Sequence, residues 1–416
     1  MDLRPGYKQT EIGSIPEDWD VAPLGAICAM KSGEGITSAS IRDFGPFPVF
    51  GGNGLRGFTT RFTHDGDFAL VGRQGALCGN VYGVSGRFFA SEHAVVVTPQ
   101  NGTSIAWLTR VLKRMELNQY SESSAQPGLS VQKILRLQVA FPPISEQKAI
   151  AEALSNIDAA INQSSELISK KRDLRTAAMQ QLLSGRTRLA AYSKASIGYK
   201  QTEIGNIPTD WDLVNLGSIG ESLIGLTYAP TDVRSNGTLV LRSSNIQNDT
   251  LAFANNVFVE KLIPQKIMVR PGDVLICVRN GSVDLIGKSA LLDERTVGMT
   301  FGAFMAVYRS EIGRLINYHF QSSSMKKQIK EHLGATINQI TNKSLNSFRI
   351  PLSRNKQEQH DIADVLSDMD AEITALEARL EKTRALKQGM MQTLLTGRVR
   401  LPVQAEALDP LEVSHA

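Results

Sequence analysis

Two glycine-rich stretches in the first half, "GGNGLRGF" and "GRQGALCGN", carry Asn53, Arg56, Arg73, Gln74 and Asn80, and Glu92-His93 follows them. In the second half, "LRSSNIQND", "VRNGSVDLIGK" and "GATINQITNKSLN" carry Arg242, Ser243, Asn245, Arg279, Asn280, Lys288, Gln339, Asn342 and Lys343. Asn, Gln and Arg form paired hydrogen bonds with the edges of adenine and guanine, and glycine lets the backbone that carries them approach a partner closely. The same letters also spell tight turns, and His93 reads as a structural histidine ahead of a base reader. The clustering of such residues in loops of both halves therefore carries more weight than any one of them. The run "KKQIK" from Lys326 fits either a phosphate contact or a solvated helix face.

Spacings that would support catalysis are missing. None of the six histidines forms an HExxH pair, and there is no GxSxG elbow. "GSVDLIGKS" resembles a phosphate loop, but five residues separate Gly281 from Gly287 where that motif needs four. "FPPI" at Phe141 lacks the Asn or Asp that would hold a target amine. Cys28, Cys78 and Cys277 make no CxxC pair, which argues against a zinc ribbon or a disulfide scaffold. The chain is expected to be non-catalytic, with no metal site.

Any set of readers needs a frame, and the sequence writes one twice. "YKQTEIGSIPEDWD" at Tyr7 returns as "YKQTEIGNIPTDWD" at Tyr199, 192 positions on. "IAEALSNIDAAI" at Ile150 returns as "IADVLSDMDAEI" at Ile362, and "LLSGRTRL" at Leu182 as "LLTGRVRL" at Leu394; both of these pairs are 212 apart. The 20 extra residues of the second half thus fall between its opening and its helix. Each half reads as a fixed opening, a variable body and a fixed helical tail. The bodies mix short β-prone runs, broken by Gly, Asn and Asp, with one helical stretch, "SIAWLTRVLKRMELNQY" or "INYHFQSSSMKKQIKEH".

The tails are long helices. In the second, Ile362, Leu366, Met369, Ile373, Leu376 and Leu380 step by fours and threes, a heptad seam; the first keeps it at Ile150, Leu154, Ile157 and Ile161. A single helix with such a stripe needs a partner. Each tail is acidic early and basic late, so antiparallel packing brings unlike charges together. Exposed pairs contribute only ~0.3–0.5 kcal/mol each, enough to choose an orientation. Gly185 and Gly397 stand where a helix end wants a left-handed residue. The expected fold is α+β: two mixed α/β domains joined by two long antiparallel helices as a coiled coil, a pseudo-twofold internal repeat. About 40 residues per helix give a rod of roughly 60 Å, with the variable domains near opposite ends. The boundaries read as 1–143 for the first domain, 144–190 for the central helix, 191–352 for the second domain with a short linker, 353–402 for the C-terminal helix and 403–416 for a tail.

Composition agrees with a globular chain: 42% of residues are hydrophobic and 21% charged. A net charge of +4 permits a polyanion partner without demanding one. There is no apolar run of membrane length and no apolar stretch at the N-terminus, so a cytoplasmic chain with no membrane partner is expected.

The doubled opening, each copy followed by "LG", resembles the start of each half in specificity subunits of Type I restriction–modification enzymes. "ISEQKAIAEALSNID", "QEQHDIADVLSDMD" and the "LLxGRxRL" ends are similar to that family's central and C-terminal conserved regions. "GGNGLRGF…GRQGALCGNV…EHAVVV" and "RNGS…GKSA…GAFMAVYR…ATINQIT" resemble two of its target recognition domains. The likeness covers nearly the whole chain, to about Gln404. It implies that each target recognition domain binds one half of a bipartite, asymmetric double-stranded DNA sequence through the major groove. It also implies a spacer fixed by the helices, two methyltransferase subunits clasping those helices, and motor–nuclease subunits joining for cleavage. S-adenosylmethionine, ATP and Mg would then belong to the partners, with no cofactor on this chain. Composition alone leaves open a tandem protein- or glycan-binding module with a coiled-coil spacer.

Overall fold

The computed structural model describes residues 4–121, 128–195, 198–334 and 339–402; the proposed tail from 403 lies outside them. Two compact units divide the chain: residues 1–165 with 378–416, and residues 166–377. This division cuts each long helix instead of following its ends, because each half-helix packs on a half of the other.

In the first unit the opening forms a hairpin, Tyr7–Thr10 against Gly13–Pro16. Strand Asp20–Pro23 then pairs with Gln138–Phe141, which leads directly into the long helix. Two four-stranded sheets make the body. One runs in the order Gly54–Thr59, Phe47–Gly51, Arg87–Ala90, His64–Asp65, with a parallel step between the second and third strands. The other runs Cys28–Ser32, Ala94–Pro99, Phe68–Gly72, Val81–Val84, antiparallel throughout. Helix Ile105–Arg114 buries Trp107, Leu108, Val111 and Leu112 against this sheet.

The second unit repeats the plan. Hairpin Tyr199–Thr202 with Gly205–Pro208 precedes strand Trp211–Asn215, which pairs with Arg349–Ser353. The antiparallel sheet runs Glu221–Ile224, Met305–Arg309, Val274–Cys277, Ser289–Leu291. In the second sheet Thr238–Leu241 again meets a parallel partner, Thr300–Phe301. Two bodies of unlike sequence therefore share the order of the antiparallel sheet and the parallel step of the other, whose fourth strand differs: Val233–Arg234 pairs with Phe258–Val259, whereas His64–Asp65 pairs with Arg87–Ala90. The stretch read as one helix from Ile316 is two, Gly313–Gln321 and Ser323–Leu333. Ser322 adopts an extended backbone between them, and its hydroxyl accepts from the Met325 amide at 3.3 Å, an N-cap that ends one helix and starts the next.

The tail helices are Ile144–Leu183, of 40 residues, and Lys356–Leu394, of 39. Within the second unit Arg172 pairs with Glu377 and Arg175 with Asp370, so partners fall in number as the first helix rises. Within the first unit Asp158 pairs with Lys387, and Glu146 with Arg400. Both units thus show the antiparallel order that the charges favour. The predicted seam is buried at Ile150, Leu154, Ile157, Ile362, Leu366, Ile373 and Leu380 and half-buried at Ile161, Met369 and Leu376. No helix among the described residues is long and apolar enough to cross a membrane.

Candidate nucleic-acid interface

In the first body three loops meet beyond the ends of Phe47–Gly51 and Phe68–Gly72. Glycine makes the approach possible: a Cβ on Gly72 would stand 2.5 Å from the Gly52 carbonyl oxygen, and one on Gly52 would stand 3.0 Å from that of His93. The result gathers the predicted residues. Asn53 and Asn80 face each other across a long contact of 3.4 Å. Arg56 lies over Gly51, whose missing Cβ would stand 2.5 Å from Arg56 Cδ. Arg73 donates to the Ser32 hydroxyl at 3.1 Å, and His93 stands 3.3 Å from a Glu92 oxygen. Asn53, Arg56, Arg73, Gln74, Asn80 and His93 are all exposed, so His93 belongs to this surface and not to the core.

The second body divides its predicted residues. Asn245 is fully buried, and its amide is spent internally: it accepts from the Arg242 amide and donates to the Ala252 carbonyl and to Asn256. It shapes the turn that the sequence offered as a reader. Lys288 donates to the Ile246 carbonyl at 2.7 Å and Asn342 to that of Ser222 at 3.1 Å, so both brace loops. Asn280 bonds the Ser243 hydroxyl at 3.2 Å and receives the Ser282 amide, tying two loops together. Arg242, Arg279, Gln339 and Lys343 remain exposed.

The two bodies can be aligned bond by bond. Gly72 stands opposite Ala94, and Cys277 stands opposite Met305, in matching registers. One residue on, the Arg73 amide donates to the His93 carbonyl at 2.9 Å, as the Val278 amide donates to that of Phe304 at 3.1 Å. The Leu129 amide donates to Arg73 and the Ile340 amide to Val278, at 3.0 and 2.8 Å. Gln74 bridges Gly128, and Arg279 bridges Gln339. Gln74 and Arg279 therefore occupy one position of a shared framework, as do His93 and Phe304. Phe304 was not among the residues read from sequence. It is 59% exposed, and the Arg279 guanidinium sits 5.1 Å from its ring centre.

The frame has a centre of its own in each unit. Arg400, just past the second long helix, reaches Glu146 at 2.7 Å and Asp18 at 2.8 Å, while the Trp19 indole donates to Glu146 at 2.8 Å. Arg188, just past the first long helix, reaches Glu358 at 2.6 Å and Asp210 at 2.7 Å, beside buried Trp211. The hydrogen bonds that Arg400 donates to Glu146 and Asp18 raise its pKa, and those that Arg188 donates to Glu358 and Asp210 raise its own, so both stay charged. Both tryptophans are buried in the cluster that holds the opening, Trp19 with Ile15 and Trp211 with Ile207. The arginines and glutamates were legible only as letters shared by both copies. No cluster of three or more metal-ligating side chains occurs among the described residues.

A family profile described as "Type I restriction modification DNA specificity domain" matches residues 16–170 and again 208–384. The chain is similar to the Type I restriction enzyme EcoprrI specificity subunit of Escherichia coli, 44% identical over 148 residues; the match covers 35% of this chain and 37% of that protein. It is also similar to a putative Type I specificity subunit, MjaX, of Methanocaldococcus jannaschii, 25% identical over 95% of this chain and 97% of the relative. The crystal structure of a Type I S subunit from M. genitalium shares the fold with a TM-score of 0.61 at 16% identity, covering 95% of this chain and 98% of that one.

Proposed function

Since the chain belongs to the family of Type I restriction–modification DNA specificity subunits, we propose that each of its two bodies reads one half of a bipartite, asymmetric DNA target. DNA recognition is the family's part in restriction–modification; the division of the target between two bodies is our reading. It is carried by one observation: the openings and helix ends are repeated almost letter for letter around equivalent ion-pair centres, while the loops of the two bodies present different side chains on a matching antiparallel sheet. A repeated frame offers the same surface twice, which suits two copies of one methyltransferase subunit. A changed reader makes the target non-palindromic. The long helices, continuous over 40 and 39 residues, would set the unread spacer. A motor–nuclease subunit would join for cleavage, and S-adenosylmethionine, ATP and Mg would be held by these partners. The reading places the work in the cytoplasm, with the DNA.

The test is to map methyl-adenine in DNA from cells that make this chain with its methyltransferase. One bipartite motif is expected. Exchanging the first body, about Val21 to Phe141, for that of a relative should change one half of the motif and leave the other. A change in both halves, or binding without sequence preference, would refute the reading.

A further inference from the structure

The aligned framework singles out one reading position per body. Resting on the bipartite reading above, we infer that Gln74 and Arg279 are the equivalent base-reading residues, Gln74 taking an adenine in one half-site and Arg279 a guanine in the other. The backbone around each is fixed by the same hydrogen bonds, to His93 or Phe304 on one side and to the loop of Leu129 or Ile340 on the other. Position is thus held constant while side-chain chemistry varies, which is how one fold reads different sequences. Among the described residues neither side chain has a hydrogen bond or ion pair of its own, and both are exposed. Arg279 presents a flat fork of donors that matches guanine O6 and N7; Gln74 presents one donor and one acceptor, matching adenine N7 and N6.

Phe304 supports the assignment independently. A phenyl ring left 59% exposed beside a guanidinium orients that group by stacking and leaves its hydrogen-bonding edge free. The same ring offers an apolar contact to the methyl of a thymine, so Arg279 and Phe304 together fit a guanine next to a thymine. The first body places His93 where Phe304 stands and lacks that apolar contact.

The experiment selects bound duplexes from a randomised DNA library with the chain assembled with its methyltransferase, comparing wild type with Arg279→Gln and Gln74→Arg. Arg279→Gln should turn one guanine into adenine in one half-site, and Gln74→Arg should turn one adenine into guanine in the other. Discrimination at that base should change by roughly 5- to 150-fold, the range of a bidentate contact. A third variant, Arg279→Lys, keeps the charge and loses the fork; it should retain the motif and weaken the preference at that one base. A motif unchanged in all three variants, or equal weakening at every position, would overturn the assignment while leaving the bipartite reading intact. A wild-type complex that selects no sequence would overturn both.

Discussion

Arg400 meets Glu146 through two nitrogen–oxygen contacts of 2.7 Å although 254 residues separate them in the chain. Glu146 is only 1% exposed, whereas the Arg400 side chain is 39% exposed. The two partners should therefore not be interchangeable on deletion. Arg400→Ala strands a buried carboxylate with the Trp19 indole as its remaining donor, and should cost about 3–5 kcal/mol. Glu146→Gln leaves a cation that water can reach and an amide that still accepts from Trp19, so its cost should be about 1–2 kcal/mol. Urea unfolding that found the glutamine variant the weaker of the two would contradict this account of the centre.

Both long helices end on a left-handed glycine packed against a proline. Gly397 has φ of +69°, and a Cβ there would stand 2.4 Å from Pro16 Cδ. Gly185 repeats this at +67°, 2.6 Å from Pro208 Cγ. Gly397→Ala and Gly185→Ala should each lower stability by about 2 kcal/mol or more, from backbone strain and from displacement of the proline. Gly389 lies inside the second long helix, where a Cβ would meet nothing within 4 Å. Gly389→Ala should raise stability by about 0.5–1 kcal/mol. Thermal unfolding of the three variants checks the sign at each site.

These cases show what a sequence exposes. The heptad seam, the helix-ending glycines and the antiparallel charge order are local or periodic, so Ile362 and Gly185 could be placed from their spacing and the helix pairing from its acidic and basic ends. The Arg400–Glu146 centre has no local signature; it could be suspected only because Arg188 and Glu358 recur at the same offset. Loop residues were harder. Asn245 and Arg279 both sit in polar, turn-forming strings, yet one folds inward to close a turn and the other faces out. That choice depends on which carbonyls the turn leaves open, as Ala252 does for Asn245. Phe304 escaped because an apolar letter in a β-prone run reads as core.

Acid should weaken the second unit in a defined window. His319 is wholly buried near Leu183, Trp211, Leu315 and Leu352, and burial holds its pKa down at about 3, from an ordinary 6.5. The unfolded chain therefore binds the proton more readily than the folded one. Stability is fully present above about pH 6.5 and falls by about 1.4 kcal/mol for each unit below it, towards pH 3. Asp18 acts lower on the scale: its hydrogen bond with Arg400 holds its pKa below the ordinary 3.8, so its contribution is intact at pH 5. Denaturation of wild type and His319→Leu between pH 7 and 5 separates the two. The slope should flatten in the variant, and a slope that persists would assign it to other groups.

A tyrosine hydroxyl clamps each opening to the end of a long helix. Tyr199 donates to the Arg186 carbonyl at 3.2 Å, across a short linker that joins the first long helix to the second opening. Tyr7 donates to the Gly397 carbonyl at 2.8 Å with no such linker, since those residues lie at the two ends of the described chain. The same clamp forms with and without a covalent connection, so the packing of hairpin, proline and glycine suffices to hold it. A chain that starts at Gly198, joins Pro402 to Arg4 through a linker of roughly ten residues, and ends near Leu189 should therefore fold, because closure entropy changes only slowly with loop length. It should keep both arginine centres, unfold within about 1–2 kcal/mol of the parent, and select the same DNA motif in complex with the methyltransferase. Loss of the motif by a permuted chain that unfolds normally would mean that the linker near residue 190 has a role beyond tethering. Failure to fold would mean that the first opening does not tolerate a covalent link to the residues after the second long helix.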